Sequence, residues 1–434
     1  MNTLSYLKVS NVDYLELAYQ DYLKNPDTVE ESLRYFFDGM SLANEGPSTN
    51  TASGAASPSA VDGASLETEY RAFQITEAFR RLGHRHAKIN PLPIFPASEP
   101  NLKQWGIDVT DLSKPTQFGA KLTGQPATLQ TLIQFLQKKY CGSIGVEIGQ
   151  IQNQEIRQWA CQQIESGKLD QPLDAETKLF IYNRVLRAES FERFLHARYV
   201  GQKRFSVEGG EAIIPALDAL FEAGGALGAK GFVVGMAHRG RLNVLTHTFG
   251  KKYEMMFTEF EGNYPIDESK GEGDVKYHKG YSKDFVTRKG HPLHLTLAAN
   301  PSHLEFVNAV VSGMVKAKQD LSRDGDGAQT VGVQIHGDAA FAGQGVCYEV
   351  LNLSGLAGYR TGGSIHFIIN NQVGFTTSVR DARSTPYSSD LALMLDVPIF
   401  HVNGSDVEAV WKVTQLAFEF RQKFKRDVFI DSRC

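Results

Sequence analysis

Residues 336–377 read HGDAAFAGQGVCYEVLNLSGLAGYRTGGSIHFIINNQVGFTT, and the fold turns on them. An apolar strand over Val331–Ile335 runs into Gly337-Asp338 and two alanines. Gly343 and Gly345 lead into a helix carrying Val350, Leu351 and Leu353, and a second apolar strand, Ser364–Ile369, delivers Asn370 and Asn371. The unit is β-α-β, with a carboxylate at one strand tip and paired amides at the next. Those tips suit a hard divalent cation. Asp338 offers a charged oxygen, Asn371 an amide oxygen, and the Val373 carbonyl a third. Mg²⁺ takes oxygen ligands in near-octahedral geometry and is usually shared between one or two protein groups and phosphates. A helix N-terminus beside it would present backbone N–H groups to a diphosphate. Gly-Asp and Asn-Asn are also ordinary turns at strand ends. On the residues alone, both readings stand.

Further from this unit the alternation continues. Strands are expected at Phe232–Met236, Leu293–Ala298, Pro398–Val402 and from Val428 to Ile430, with helices over Glu305–Lys318 and Asp406–Phe424. Buried strands alternating with helices imply an α/β fold with a parallel, doubly wound sheet over residues 196–434. Each polar cluster directly follows a strand, where ligands bind in such sheets. His238 and Arg239 lie in AHRGR (237–241), and an arginine there can pair with a carboxylate or grip a phosphate. His278 and Ser282 lie in GEGDVKYHKGYSKDF (271–285), a polar stretch without periodicity that reads as a loop. Two histidines near one cleft could move protons at working pH. Ser302 in NPSHL (300–304) suits a helix N-cap. His303 reads as structural, His401 and Asn403 as site-edge residues, and Glu208 as an ion-pair partner or helix start.

The first half has a different character. Residues 66–195 read as a helical domain, with helices at Glu67–Leu82, Thr128–Lys139, Asn153–Ile164 and Ala175–Ala197. His84 and His86, two apart, would not face one metal from a helix. Residues 41–65 are Ser, Ala and Gly with two prolines, the composition of a flexible tether. Residues 1–40 hold two amphipathic stretches parted by Pro26: Tyr14, Leu17 and Ala18, then Val29, Leu33, Phe36 and Phe37. Short helices of this kind cannot bury both faces alone, and they would pack onto their own domain, onto a partner, or onto nothing.

The 434 residues carry a net charge of −4, so charge gives no case for nucleic acid. No apolar run is long enough for a membrane span. The four cysteines have no metal spacing, which fits a reducing compartment. The N-terminus is acidic rather than Arg-rich, unlike a transit peptide. A bacterial cytoplasmic protein is expected, or a mitochondrial matrix one from a eukaryote.

A Gly-Asp pair followed some thirty residues later by Asn-Asn is the motif of thiamine-diphosphate enzymes. The 336–377 segment closely resembles the E1 component of the 2-oxoglutarate dehydrogenase complex, which uses Gly-Asp-Ala-Ala-Phe for the more common Gly-Asp-Gly. AHRGR, KYH (276–278), RFSVEGGEAIIPAL (204–217) and LGHRHAKINPL (82–92) extend the resemblance over nearly the whole chain, with Leu82 in a usual arginine position. The resemblance implies oxidative decarboxylation of 2-oxoglutarate and succinyl transfer to the lipoamide of E2, dihydrolipoamide succinyltransferase, in the tricarboxylic acid cycle. E3 would be an indirect partner and the parent enzyme a homodimer. Asp338, Asn371 and Val373 would hold Mg²⁺. Arg239, Ser302, Leu304, Asp338, Ala339, Asn371 and Val373 would hold thiamine diphosphate. His238 and His278 would be catalytic and, with Ser282, face the substrate, while residues 1–40 would bind the E2 core. Pyruvate or 2-oxoadipate is the rival substrate, and a non-catalytic E2-binding module the rival role. The chain stops at DVFIDSRC (427–434), where Ser-Arg-Cys departs from the usual Leu-Val-Cys. The glutamate that activates the cofactor pyrimidine is expected beyond that point, and the chain alone is expected to be inactive.

Overall fold

The runs that are apolar on every residue become strands covered on both faces. In the computed structural model, which describes residues 12–30, 33, 34, 37, 63–92, 97–262 and 276–434, they belong to one sheet of eight strands. These are β1 Ile144–Glu147, β2 Gly231–Met236, β3 Tyr281–Val286, β4 Pro292–Leu297, β5 Thr330–Gly337, β6 Ser364–Asn370, β7 Ile399–Asn403 and β8 Val428–Arg433. Their spatial order is β1-β7-β8-β6-β5-β2-β4-β3. The six inner strands are parallel, as expected. Both edge strands are antiparallel, which the expectation of a parallel sheet did not include.

Each edge has a local reason. β3 and β4 form a hairpin, so the reading of 271–285 as loop misses a strand; Ser282 and Asp284 on its open face hide the alternation. β1 comes from the region expected to be wholly helical and pairs with β7.

Principal helices are α1 Val12–Lys24, α2 Gly63–Leu82, α3 Leu129–Tyr140, α4 Gln154–Glu165, α5 Ala175–Arg198, α6 Ile213–Ala226, α7 Phe306–Ser322, α8 Asp338–Gly343, α9 Gly345–Leu353 and α10 Val407–Phe424. Thr128, Asn153 and Asp174 cap α3, α4 and α5 through their side chains, each cap worth about 1 kcal/mol. Consecutive residues of β2 point to opposite faces and show the double winding. Val233 packs with Val307, Val311 and Val315 of α7, whereas Phe232 contacts Phe221 of α6 and Phe418 of α10 on the other face. Each such side chain, fully buried, contributes roughly 1.5–3 kcal/mol.

Tyr22, Val29, Leu33 and Phe37 bury one another and pack against Phe73 of α2. Residues 41–62, most of the expected tether, and Phe36 lie outside the described residues. A buried polar chain joins β1 to the sheet. His401 meets Glu147 at 3.2 Å and Asp431 at 3.3 Å, and His84 meets the Tyr387 hydroxyl at 3.1 Å. Burial opposes charge on His401, but the two carboxylates outweigh it and raise its pKa to about 9.

Candidate functional site

β6, β5, β2 and β4 are consecutive neighbours in the sheet, so four parallel carboxyl ends open at one place. β5 ends in Gly337 and α8 starts at Asp338, which puts this carboxylate at the strand tip, buried. Burial pushes its pKa above the usual carboxylate range, and the guanidinium of Arg383, 3.4 Å away, only partly offsets this. A carboxylate held so is one that a nearby cation stabilises.

The Asn371 side-chain amide stands 3.2 Å from Asp338 Oδ1, 3.2 Å from the Val373 carbonyl oxygen and 3.1 Å from Arg239 Nη2. With its nitrogen toward the two oxygens, the amide hydrogen-bonds both and accepts from Arg239. With its oxygen toward them, three oxygens crowd together, and only a cation makes that favourable. Adjacent ligand oxygens around Mg²⁺ lie about 3.0 Å apart when bond lengths are near 2.1 Å. The Asn371 atom thus stands from each of the other two oxygens at close to the spacing that an oxygen-ligated divalent cation requires. Ala339 matters through its size, because a Cβ on Gly374 would lie 2.7 Å from the Ala339 Cβ. Glycine at 374 lets the Val373 strand come this close.

Arg239, half-buried, reaches the Ser206 carbonyl at 3.3 Å as well as Asn371. Its neighbour His238 turns the other way, with its ring centroid 5.2 Å from that of His278. The Asn300 amide donates to His238 Nδ1 at 3.2 Å, which leaves the ring proton on Nε2. His278 Nε2 is 3.4 Å from Ser302 Oγ. The structure thus brings His238, His278 and Ser302 together, and Asp338, Asn371, Val373 and Arg239 together, joined through the His238-Arg239 bond. Leu304 sits half-buried on the same post-β4 loop as Ser302. Ser302 does not cap α7: Glu305 holds the N-cap position, without a side-chain cap bond, because its carboxylate is buried against His336 at 2.6 Å and Asn308 at 2.7 Å. Ser282 is not brought into either group; on edge strand β3 its hydroxyl meets His294 Nε2 at 2.9 Å. Glu208 is an ion-pair partner, 3.2 Å from Arg204.

Burial lowers the His238 pKa from 6.5 to about 4, with help from His278 and Arg241. This ring is neutral at physiological pH. Its contribution to stability is complete above pH 6.5 and is lost as pH falls toward 4, since in that window only the unfolded chain takes up the proton. The His238 imidazole resonance is expected to stay flat from pH 8 to about 5.5 in an NMR titration. A midpoint near its ordinary value would refute this.

Two supports escaped the sequence reading. Arg241, fully buried, donates from Nη2 to the carbonyls of Ala298 at 2.6 Å and Lys279 at 2.8 Å, tying the end of β4 to the loop that carries His278. Beneath Asp338, a buried line runs from Glu305 through His336 and His366, 3.0 Å apart, to Asp427 at 3.1 Å. Neither has a local pattern, since the partners lie 30 to 61 residues away.

Against known proteins, residues 183–434 match the family described as dehydrogenase E1 component. The chain belongs to this family. Among curated relatives, this E1 chain is 42% identical to the 2-oxoglutarate dehydrogenase E1 component of Cupriavidus necator, over 99% of its own length and 47% of that protein. The protein of the same name from Azotobacter vinelandii is 40% identical (99% and 48%), and that from Coxiella burnetii 41% (99% and 47%). The E1 chain thus spans about half the length of these relatives. Its mixed α/β sheet agrees with the family's fold.

Proposed function

We propose that this chain forms the diphosphate-and-metal half of a thiamine-diphosphate site, in an E1 component that oxidatively decarboxylates 2-oxoglutarate. The convergence of Asp338, Asn371 and the Val373 carbonyl carries the proposal. Asp338, Asn371 and Val373 would hold Mg²⁺, with Arg239, Ser302, Leu304 and Ala339 beside the cofactor. Thiamine diphosphate, when bound, supplies a carbanion that adds to a keto carbon and accepts the electron pair left by carbon dioxide. The chain's own part is to seat the diphosphate, shut out water and present His238 and His278 to the substrate. Neutral His238 carries its proton on Nε2, from which it can donate to a carboxylate or keto oxygen. His278, held beside Ser302, is the partner for the distal carboxylate of a dicarboxylic substrate. The names of the relatives support 2-oxoglutarate over pyruvate or 2-oxoadipate. E2 is the proposed acyl acceptor and residues 1–40 its docking arm, with E3 reached through E2. A homodimer and a bacterial cytoplasmic setting complete the proposal.

Calorimetric titration of the chain with thiamine diphosphate tests it. Binding is expected in millimolar Mg²⁺ and is expected to vanish with EDTA. Capture by E2 without any cofactor binding would replace this reading with that of a docking module.

A further inference from the structure

Arg383 lies near the end of the segment that starts at Val373, and its side chain is only 6% exposed. Nη1 faces Asp338 Oδ2 at 3.4 Å, while Nε and Nη2 are buried with no partner among the described residues. An unpaired donor on a buried cation is costly, and in a native fold it calls for a missing acceptor. The identity of the two nitrogens says which acceptor. Nε–H and Nη2–H point the same way and form the edge of a guanidinium that takes two oxygens at once. Two other arginines of this chain use that same edge. Arg80 grips Glu165 at 2.8 and 2.8 Å, and Arg184 grips Asp218 at 2.5 and 3.1 Å. Among the described residues, nothing occupies that edge of Arg383.

We propose that Arg383 is an anion-binding residue of the metal site, taking two oxygens of the terminal phosphate of the bound diphosphate. The inference rests on the functional reading above. Asp338 divides its carboxylate between the two tasks: Oδ1 faces the Asn371 and Val373 trio, and Oδ2 faces Arg383. An anion that ligates the same cation would come close to the arginine, and among the described residues no carboxylate other than that of Asp338 pairs with it. The strands of the segment that carries Arg383 are two residues long, and Phe375 at its tip is 99% exposed.

The test compares wild type, R383K and R383Q for affinity toward Mg²⁺-pyrophosphate, Mg²⁺-thiamine diphosphate and Mg²⁺ alone, by calorimetry, with thermal melts of the unliganded proteins. Lysine keeps the charge but lacks the two-nitrogen edge. Both variants are expected to weaken both diphosphates about 10- to 100-fold, the range for a charge-assisted pair, to leave Mg²⁺ alone within about threefold, and to melt within a few degrees of wild type. Unchanged diphosphate affinity in R383K would overturn the inference while leaving the functional reading intact. So would a fall in melting temperature with affinity retained, which would mark Arg383 as a structural strut. Failure of the wild type to bind either diphosphate would remove both.

Discussion

Asp338→Asn is expected to abolish Mg²⁺-dependent binding of thiamine diphosphate, with a loss of more than about 100-fold. The residue is the one formal charge among the three converging oxygens, and the cation shared with the diphosphate draws its protein-side attraction mainly from it. Mutation of groups that only orient metal ligands already costs about 10- to 100-fold, so loss of the charged ligand should exceed that. Asparagine has the same volume and keeps an oxygen for Arg383, so the fold has little reason to change. The melting temperature without ligand is expected to move by no more than a few degrees. Titration calorimetry with Mg²⁺ gives the first quantity and a thermal melt the second. Retention of affinity within a few-fold of wild type would mean that the oxygens at these strand tips form ordinary turns.

Arg241→Met carries the largest expected effect on stability. The guanidinium is fully buried and gathers carbonyls from Lys279 and Ala298 at hydrogen-bond distance, with those of Met236 and His278 at 3.4 Å. Methionine fills much of the space but takes this donor from the buried Ala298 carbonyl and the part-buried Lys279 carbonyl, at about 1–3 kcal/mol for each left unsatisfied. Burial lowers the arginine's own pKa to about 10, so it is still charged at neutral pH. A net loss of about 3–5 kcal/mol is expected, which in a chain of this size is a drop in melting temperature of roughly 3–6 °C. A functional signature should accompany it. The His278 loop loses its anchor, so affinity for a 2-oxo acid analogue should fall while the Mg²⁺ ligands, on β5 and β6, keep theirs. A melting temperature within 2 °C of wild type would sink this account.

What could be read from the sequence follows from where the interactions lie. β5 and β6 were legible because their residues are apolar on both faces, and Asp338 and Asn371 because they stand directly after those strands. Ser302 has a capping side chain but no helix directly after it: the N-cap position falls to Glu305, which is drawn away to His336, a partner from another strand. β3 was hidden by its open face, and β1 by being four residues among helices. Arg241 and Arg383 could not be told from other arginines, since their meaning lies in carbonyls and carboxylates remote along the chain. Ser282 was carried in by resemblance alone, and its hydroxyl bonds to the neighbouring strand.

The position of β1 has a practical consequence for anyone dissecting the molecule. The family match begins at residue 183, and a fragment cut there would appear to contain every strand tip of the site. It would lack Ile144–Glu147, however, and so leave Ile399–Asn403 as a bare outer strand with a row of open backbone donors and acceptors. Asp431 and His401 would also lose Glu147 and His84 from their buried chain. Such a fragment would recruit other copies edge to edge. The smallest piece worth expressing starts upstream of α2, with the first half acting as the sheet's hem.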